Sequence, residues 1–278
     1  MSTLQLSNFK RSKPHCCLGF STWRGHQKTL SQFLLEGLPG TTAVIEITSS
    51  TELPSRREAI TLRTSDNLNL VGELAMPVES APSAVLLTLH PLPTHGGFMD
   101  SHILRKAANR LPALANLAVL RFNTRGTSSP HGTSEGSFGE GVSERLDLEA
   151  ALEFLEARKL GPVWLVGWSF GTELAIKYGF DKEIAGAVLL SPPLHRATES
   201  DLAKWIGSDK ELVAIVPEHD EFLAPKEATV RFAAAPGARV IAVDGAKHLW
   251  VGESATKTVL NEIVKVVAPS SYPLPEYF

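Results

Sequence analysis

The chain has only two cysteines, Cys16 and Cys17, and they are neighbours in the sequence. Because no other thiol could pair with them, a disulfide framework of the kind that holds small secreted domains together is excluded. The sequence also lacks an apolar run of the roughly 18 to 20 residues that a membrane-spanning helix needs. We therefore expect a cytoplasmic protein that does not span a membrane.

An excess of charge of either sign is also missing. The 27 lysines and arginines and the 30 aspartates and glutamates leave a formal net charge of -3. Nucleic-acid-binding proteins usually carry a clear basic excess, so we expect no nucleic-acid partner. No two of the nine histidines have the spacing of a ligand pair on one helix face. We therefore expect neither a metal site nor a cofactor.

The first part of the chain differs from the rest. Residues 1–35 contain five basic residues and no acidic one, and they lack the continuous apolar core of a secretory signal. We expect residues 1–52 to be a poorly ordered N-terminal extension. Residues 53–278 are then expected to form one domain, because a chain of this length is rather short for two large ones.

Short apolar runs alternate with helical patterns through this domain. Most of the runs are apolar without alternation, which is typical of strands covered on both faces. Such strand–helix repetition predicts an α/β fold with a mostly parallel twisted sheet and helices on both faces. Ligands then bind beyond the carboxyl ends of the strands. The predicted strands are 58–64, 69–76, 84–89, 118–122, 163–166, 187–190, 212–216 and 239–243, and the predicted helices are 101–111, 143–159, 170–179, 226–234 and 253–267.

Residues 167–171 read Gly-Trp-Ser-Phe-Gly and match the pattern G-x-S-x-G. Ser169 directly follows one predicted strand and directly precedes a predicted helix. A sharp turn of this kind needs small neighbours, which Gly167 and Gly171 supply, and it is typical of a nucleophilic serine. A second match at residues 132–136 lies in a loop rich in glycine and serine, and we interpret it as a coincidence.

A serine on such a turn also lies at a helix N-terminus, where free N–H groups and the positive end of the helix dipole favour an oxyanion. We expect the N–H of Phe170 to be one oxyanion donor. The second donor should come from the loop after the strand 84–89. Because Pro91 and Pro93 have no N–H, Leu92 is the best candidate in that loop.

A serine hydroxyl becomes a good nucleophile only when an imidazole takes its proton, and the imidazole needs a carboxylate to hold it. In the α/β-hydrolases, which this strand–serine–helix turn resembles, the acid follows the nucleophile along the chain and the histidine comes last. Glu218, Asp220 and Glu221 follow one predicted strand, and we choose Asp220 because its short side chain is easily held rigid in a tight turn. His248 follows the last predicted strand and is the only histidine after Asp220.

These segments together resemble compact bacterial α/β-hydrolases with a His-Pro loop that ends in Gly-Gly, a group similar to dienelactone hydrolases. The resemblance covers roughly residues 57–268 and implies the α/β-hydrolase fold with esterase-like hydrolysis. The chain departs from the group in the first loop, where Leu92-Pro93 replaces a second His-Pro pair. The segments that carry the resemblance are His90-Pro91, 96–100, 120–126, 135–138, Gly141, 167–171, 191–193, 218–222 and 246–248.

The expected cavity follows from the same segments. Only about twenty residues, 191–210, separate two strands at the position where this fold often carries a lid, so we expect a minimal lid. Apolar side chains flank the predicted chemistry, and an apolar mouth suits an uncharged acyl group or a small ester. The residues expected to line the substrate pocket are His90, Phe98, Trp168, Phe222 and Trp250.

The sequence thus predicts a serine hydrolase, carboxylesterase-like, that cleaves a small-to-medium uncharged ester through an acyl-enzyme on Ser169. The same triad could act on a thioester, a peptide bond or a lactone, and the fold could also serve a non-catalytic binding protein. Arg125 lies in the glycine-rich stretch 123–141. It could contact an anionic substrate, but we favour a structural role in which it pins that loop.

Overall fold

The computed structural model describes residues 44–278. Most of the predicted extension 1–52 lies outside the described residues, so its order stays a prediction. At the start of the described part, the N–H of Ile45 donates to the carbonyl of Phe278 and the N–H of Ile47 donates to that of Glu276. The N–H of Leu53 donates to the carbonyl of Asn109. Residues 45–53 are therefore hydrogen-bonded to the domain that follows them.

Strands and helices alternate along the described residues as predicted. The strands are β1 (Arg56–Arg63), β2 (Asn69–Met76), β3 (Ala84–Leu89), β4 (Leu117–Phe122), β5 (Ser128–Ser129), β6 (Gly132–Thr133), β7 (Val163–Trp168), β8 (Gly186–Leu190), β9 (Glu211–His219) and β10 (Arg239–Lys247). The α-helices are α1 (His102–Ala115), α2 (Glu144–Ala157), α3 (Phe170–Tyr178), α4 (Glu199–Ala203), α5 (Pro225–Phe232) and α6 (Glu253–Val267), and short 3-10 helices cover Pro93–His95 and Pro269–Ser271.

Eight of the described strands form one sheet in the order β1-β2-β4-β3-β7-β8-β9-β10. The pairs β1–β2 and β2–β4 are antiparallel, and every pair from β4 through β3 to β10 is parallel. This confirms the predicted α/β fold with a mostly parallel sheet. The two-residue strands β5 and β6 form a separate small hairpin, which the sequence pattern did not predict.

The central strands are covered on both faces. Every residue of β3, β4, β7 and β8 is buried, as expected for apolar runs without alternation. Alternate residues of these strands face two separate cores. One core contains Leu148 from α2 and Leu174 from α3, and the other contains Ile103 from α1 and Ile263 from α6. The helices therefore lie on both faces and leave the carboxyl ends of the strands accessible.

Within residues 44–278, no large cap covers those carboxyl ends. The connection from β8 to β9 holds one short helix, α4, of five residues. The predicted minimal lid is thus confirmed. Among the helices of residues 44–278, none is both long enough and apolar enough to cross a bilayer.

Arg125 is buried and holds the long loop that follows β4. Its Nε and one terminal nitrogen lie 2.9 and 2.8 Å from Oδ1 of Asp147 on α2, and its backbone N–H donates to Oδ2 of Asp147. The other terminal nitrogen lies 2.9 Å from Asp66, in the turn between β1 and β2. Burial raises the pKa of Asp147, although the hydrogen bonds from Arg125 act against that rise. These contacts agree with the structural role that we favoured for Arg125.

Arg125→Ala should leave the Asp147 carboxylate buried without its partner, and we expect the free energy of unfolding to fall by about 3–5 kcal/mol. The matched control is Arg158→Ala, which removes an exposed bidentate ion pair with Glu58. That control should cost no more than about 1 kcal/mol. Urea denaturation of both variants tests the difference, and equally small losses would contradict the buried role of Arg125.

Candidate active site

Ser169 is the single residue between the end of β7 and the start of α3. Its backbone angles are φ 51° and ψ -116°, so a non-glycine residue is held at positive φ. Such a conformation costs free energy and persists only where the surrounding structure enforces it. The N–H of Ser169 donates to the carbonyl of Leu190 at the end of β8. The serine is therefore fixed at the carboxyl edge of the sheet.

The two glycines of the pentapeptide are required by close backbone contacts. A Cβ atom on Gly171 would lie 2.0 Å from the carbonyl oxygen of Leu89, at the end of β3. A Cβ atom on Gly167 would lie 2.5 Å from the carbonyl oxygen of Gly171. The glycines thus allow α3 to start close against β3 and β7, as a sharp strand–helix turn requires.

The structure brings Ser169, His248 and Asp220 together in one hydrogen-bonded chain. Oγ of Ser169 lies 2.9 Å from Nε2 of His248. Nδ1 of His248 lies 2.9 Å from Oδ2 and 3.1 Å from Oδ1 of Asp220. Asp220 directly follows β9 and His248 directly follows β10, so the ends of neighbouring parallel strands place the two side chains side by side.

The Asp220 carboxylate is buried, and both of its oxygens accept hydrogen bonds. Its Oδ1 also accepts hydrogen bonds from the N–H groups of Phe222 and Leu223, at 2.9 and 3.3 Å. Burial acts to raise the pKa of Asp220, but the hydrogen bonds from His248 and the two amides outweigh it, and the pKa lies below its ordinary value. Asp220 is therefore ionised at neutral pH. The rival Glu218 accepts instead from the N–H of Gly245.

A cavity of about 290 Å³ lies against Ser169 and His248. Two of the predicted pocket residues, Trp168 and Phe222, line it. The ring of Phe222 meets that of His248 edge-on, with 4.6 Å between the ring centroids. The remaining lining residues are Pro91, Leu92, His95, Phe170, Glu173, Pro193, His195, Arg196, Glu221 and Leu249.

His90, Phe98 and Trp250, which we also expected in the pocket, do not line this cavity. Trp250 is fully buried in the core on the α1 and α6 face. Phe98 lies just before α1, where its N–H donates to Oγ of Ser101. His90 and Trp250 lie close after a strand end, but position along the chain does not reveal the direction of a side chain.

His90 has a structural position instead. Its Nδ1 lies 2.7 Å from the carbonyl oxygen of Pro91, and its Nε2 accepts from the N–H of Thr124 at 3.1 Å. Burial lowers the pKa of His90 to about 4, so the ring is neutral near pH 7. His90 thus ties the loop after β3 to the loop after β4. Across residues 44–278, no three His, Cys, Asp or Glu side chains group as metal ligands would.

The N–H groups of Phe170 and Leu92, the two expected oxyanion donors, belong to residues that line the cavity. Neither N–H donates to another of the described residues. The carbonyl of Leu92 accepts from the N–H groups of His95 and Gly97, which closes a tight turn. A Cβ atom on Gly97 would lie 2.1 Å from the carbonyl oxygen of Pro91, so this turn depends on the glycine. Both N–H groups are therefore available to a ligand.

Known proteins share this fold and part of this sequence. The profile of the Alpha/beta hydrolase family matches residues 92–217. An uncharacterized protein of Rickettsia prowazekii (strain Madrid E) is 31% identical over 128 residues, which are 45% of this chain and 52% of the relative. The aligned part of the chain therefore spans about half the length of this curated relative.

Solved structures extend the match to most of the domain. An alpha-beta serine hydrolase homologue from Coxiella burnetii superimposes with a TM-score of 0.63 at 23% identity, over 77% of this chain and 96% of that one. A serine hydrolase without lid from Xanthomonas campestris gives 0.64 at 22% identity, over 81% and 100%. An esterase from Pyrococcus furiosus gives 0.59 at 20% identity, over 76% and 92%. These superpositions confirm the predicted α/β-hydrolase fold.

The site also contains residues that sequence reasoning missed. Pro193, His195 and Arg196 reach the cavity from the loop after β8, and Glu173 reaches it from α3. The N–H of Arg196 donates to the buried Glu173 carboxylate, and the Arg196 guanidinium lies 5.5 Å from the centroid of the Phe170 ring. A signal was present in the sequence, because the run Ser191-Pro-Pro directly follows a predicted strand, at the edge where ligands bind.

Proposed function

We propose that the protein is a serine hydrolase of carboxylesterase type, which cleaves a small-to-medium uncharged ester through an acyl-enzyme on Ser169. The observation that carries the proposal is the unbroken hydrogen-bonded chain from Ser169 through His248 to Asp220, beside a cavity. A small-molecule ester is then the partner, and a cytoplasmic location belongs to the same proposal.

In the first half of the reaction, Nε2 of His248 takes the proton of the Ser169 hydroxyl while Oγ attacks the ester carbonyl carbon. Asp220 accepts the hydrogen bond from Nδ1 and stabilises the imidazolium that forms. The N–H groups of Phe170 and Leu92 donate to the oxyanion of the tetrahedral intermediate. His248 then gives its proton to the departing alkoxide, so that an alcohol leaves and Ser169 carries the acyl group.

In the second half, water replaces the alcohol. His248 takes a proton from the water while its oxygen attacks the acyl carbon, and the same two N–H groups donate to the second oxyanion. Collapse of this intermediate breaks the bond to Oγ, and the proton on His248 passes to Ser169. The products are a carboxylic acid and the free enzyme, which balances one water consumed for one ester cleaved.

The size and lining of the cavity support a small, uncharged substrate. Its volume of about 290 Å³ lies at the lower end of the range for small-molecule sites. Leu92, Trp168 and Phe222 supply apolar surface near the serine. The charges of Glu173 and Arg196 on one wall are paired, because the Arg196 guanidinium lies 3.6 Å from the Glu173 carboxylate and 3.0 Å from that of Glu140.

A fluorophosphonate probe should label the wild-type protein, and Ser169→Ala should lose the label together with at least about a thousandfold of ester hydrolysis. The matched control is Ser134→Ala, in the second G-x-S-x-G match. The Ser134 hydroxyl is buried, donates to the carbonyl of Asn123 and accepts from the N–H of Val71, so this variant should still be labelled. Equal labelling of Ser169→Ala and wild type would contradict the proposal.

The acyl chain length that the enzyme prefers should follow the cavity volume. Each buried methylene contributes about 0.8 kcal/mol, so kcat/KM for p-nitrophenyl esters should rise up to about fourfold per carbon until the cavity is full, and then fall. Initial rates over a series of acyl lengths measure this, with Ser169→Ala as the background for each ester. Activity confined to long acyl chains would rule out the small-cavity interpretation.

A further inference from the structure

We propose that Ser191 and Trp168 are positioning residues that hold His248 by its backbone carbonyl. Nε1 of Trp168 and Oγ of Ser191 each lie 3.2 Å from the carbonyl oxygen of His248, and both donate to it. Both side chains are buried. The inference rests on the proposed function, in which His248 is the general base, and it adds the two groups that set the position of that base.

The two donors connect His248 to the nucleophile. Trp168 immediately precedes Ser169, and Ser191 immediately follows Leu190, whose carbonyl accepts from the N–H of Ser169. The N–H of Ser191 donates in turn to the carbonyl of Ile215 on β9. The residues that fix Ser169 are therefore adjacent in the sequence to those that fix His248. As a result, a short path of covalent and hydrogen bonds determines the distance between Oγ of Ser169 and Nε2 of His248.

The His248 loop has little else to hold it on its exposed side. Its strand, β10, is at the edge of the sheet and its pairing with β9 shifts register between Val243 and Lys247. Leu249 and Val251 are 55% and 78% exposed and contribute little packing. Trp250 is buried in the core on the α1 and α6 face and anchors the loop there. Together with the bond between Nδ1 and Asp220, the hydrogen bonds at the His248 carbonyl restrain the catalytic residue itself.

The backbone around His248 is strained, so it needs this restraint to keep its conformation. Ser169, Ser191 and Trp250 have φ angles of 51°, 50° and 51°, each in a region that non-glycine residues seldom occupy. Nε2 of His102 lies 3.1 Å from the carbonyl oxygen of Trp250, so this second carbonyl of the loop is also held. Strained positions persist where hydrogen bonds and packing over-determine them. Removing one donor should let the loop relax and move the imidazole.

The test compares kcat and KM for an ester substrate. Ser191→Ala removes the hydroxyl from a residue that does not line the cavity, so we expect kcat to fall about tenfold with KM within about twofold of wild type. Ser191→Gly also lacks the hydroxyl but tolerates positive φ, and it should show the same loss. Trp168→Phe removes the N–H and keeps an aromatic ring, and combining it with Ser191→Ala should lower kcat further.

Matched controls remove the same groups elsewhere in the fold. Trp205→Phe deletes an indole N–H that donates to the carbonyl of Ile176, and Ser134→Ala deletes a buried hydroxyl that donates to the carbonyl of Asn123. Both should keep kcat within about twofold of wild type. Circular dichroism establishes that each variant is folded before its rate is compared.

A readout independent of activity is the proton between Nδ1 of His248 and Asp220, which gives a downfield resonance in proton NMR spectra. We expect Ser191→Ala to shift or broaden it, and Ser134→Ala to leave it unchanged. Full kcat in both Ser191 variants, full kcat in Ser191→Gly alone, or an equal loss in the controls would overturn the positioning role. A wild-type protein that hydrolyses no ester yet shows the Ser191-dependent resonance would instead contradict the proposed function and leave the positioning role supported.

Discussion

A hydrogen bond of 2.9 Å between Oγ of Ser169 and Nε2 of His248 joins the ends of two strands that are far apart in the sequence. The serine follows β7 and the histidine follows β10, with β8 and β9 between them. The bond exists only because four parallel strands end at the same edge, at heights that their register fixes. Most contacts in the site hold the carboxyl ends of these strands in position.

Buried polar contacts brace the loops on the other side of the serine. His90 links the loops after β3 and β4 through Thr124, and its lowered pKa keeps the ring neutral in that role. Arg125 ties the loop after β4 to α2 through Asp147. His90 also contacts the carbonyl of Pro91, which lines the cavity beside Leu92. In the proposed mechanism, this contact helps to hold the N–H of Leu92 toward the oxyanion.

The sequence was most informative about residues that directly follow a strand, because that position determines which other residues lie near them in the fold. Ser169 could be chosen from its strand–helix turn and His248 from chain order. Asp220 was chosen among three acids at one strand end for its short side chain, and the structure brings the three residues into contact. The direction of a loop side chain is a tertiary property, and Trp250 and His90, which we expected in the pocket, do not line the cavity. The two-residue strands β5 and β6 are too short for any periodicity, and the Ser191 contact depends on a positive φ that only the folded chain shows.

The most direct measurement is an acid-quenched reaction with p-nitrophenyl acetate, followed by intact mass and peptide mapping. The account predicts a burst of p-nitrophenolate that approaches one equivalent per protein, with the acetyl group on the peptide that contains Ser169. Asp220→Asn should lower the acylation rate about 10⁴-fold, because the imidazole is then held in the wrong tautomer. An acetyl group on another residue, or turnover that survives in Ser169→Ala, would contradict the account.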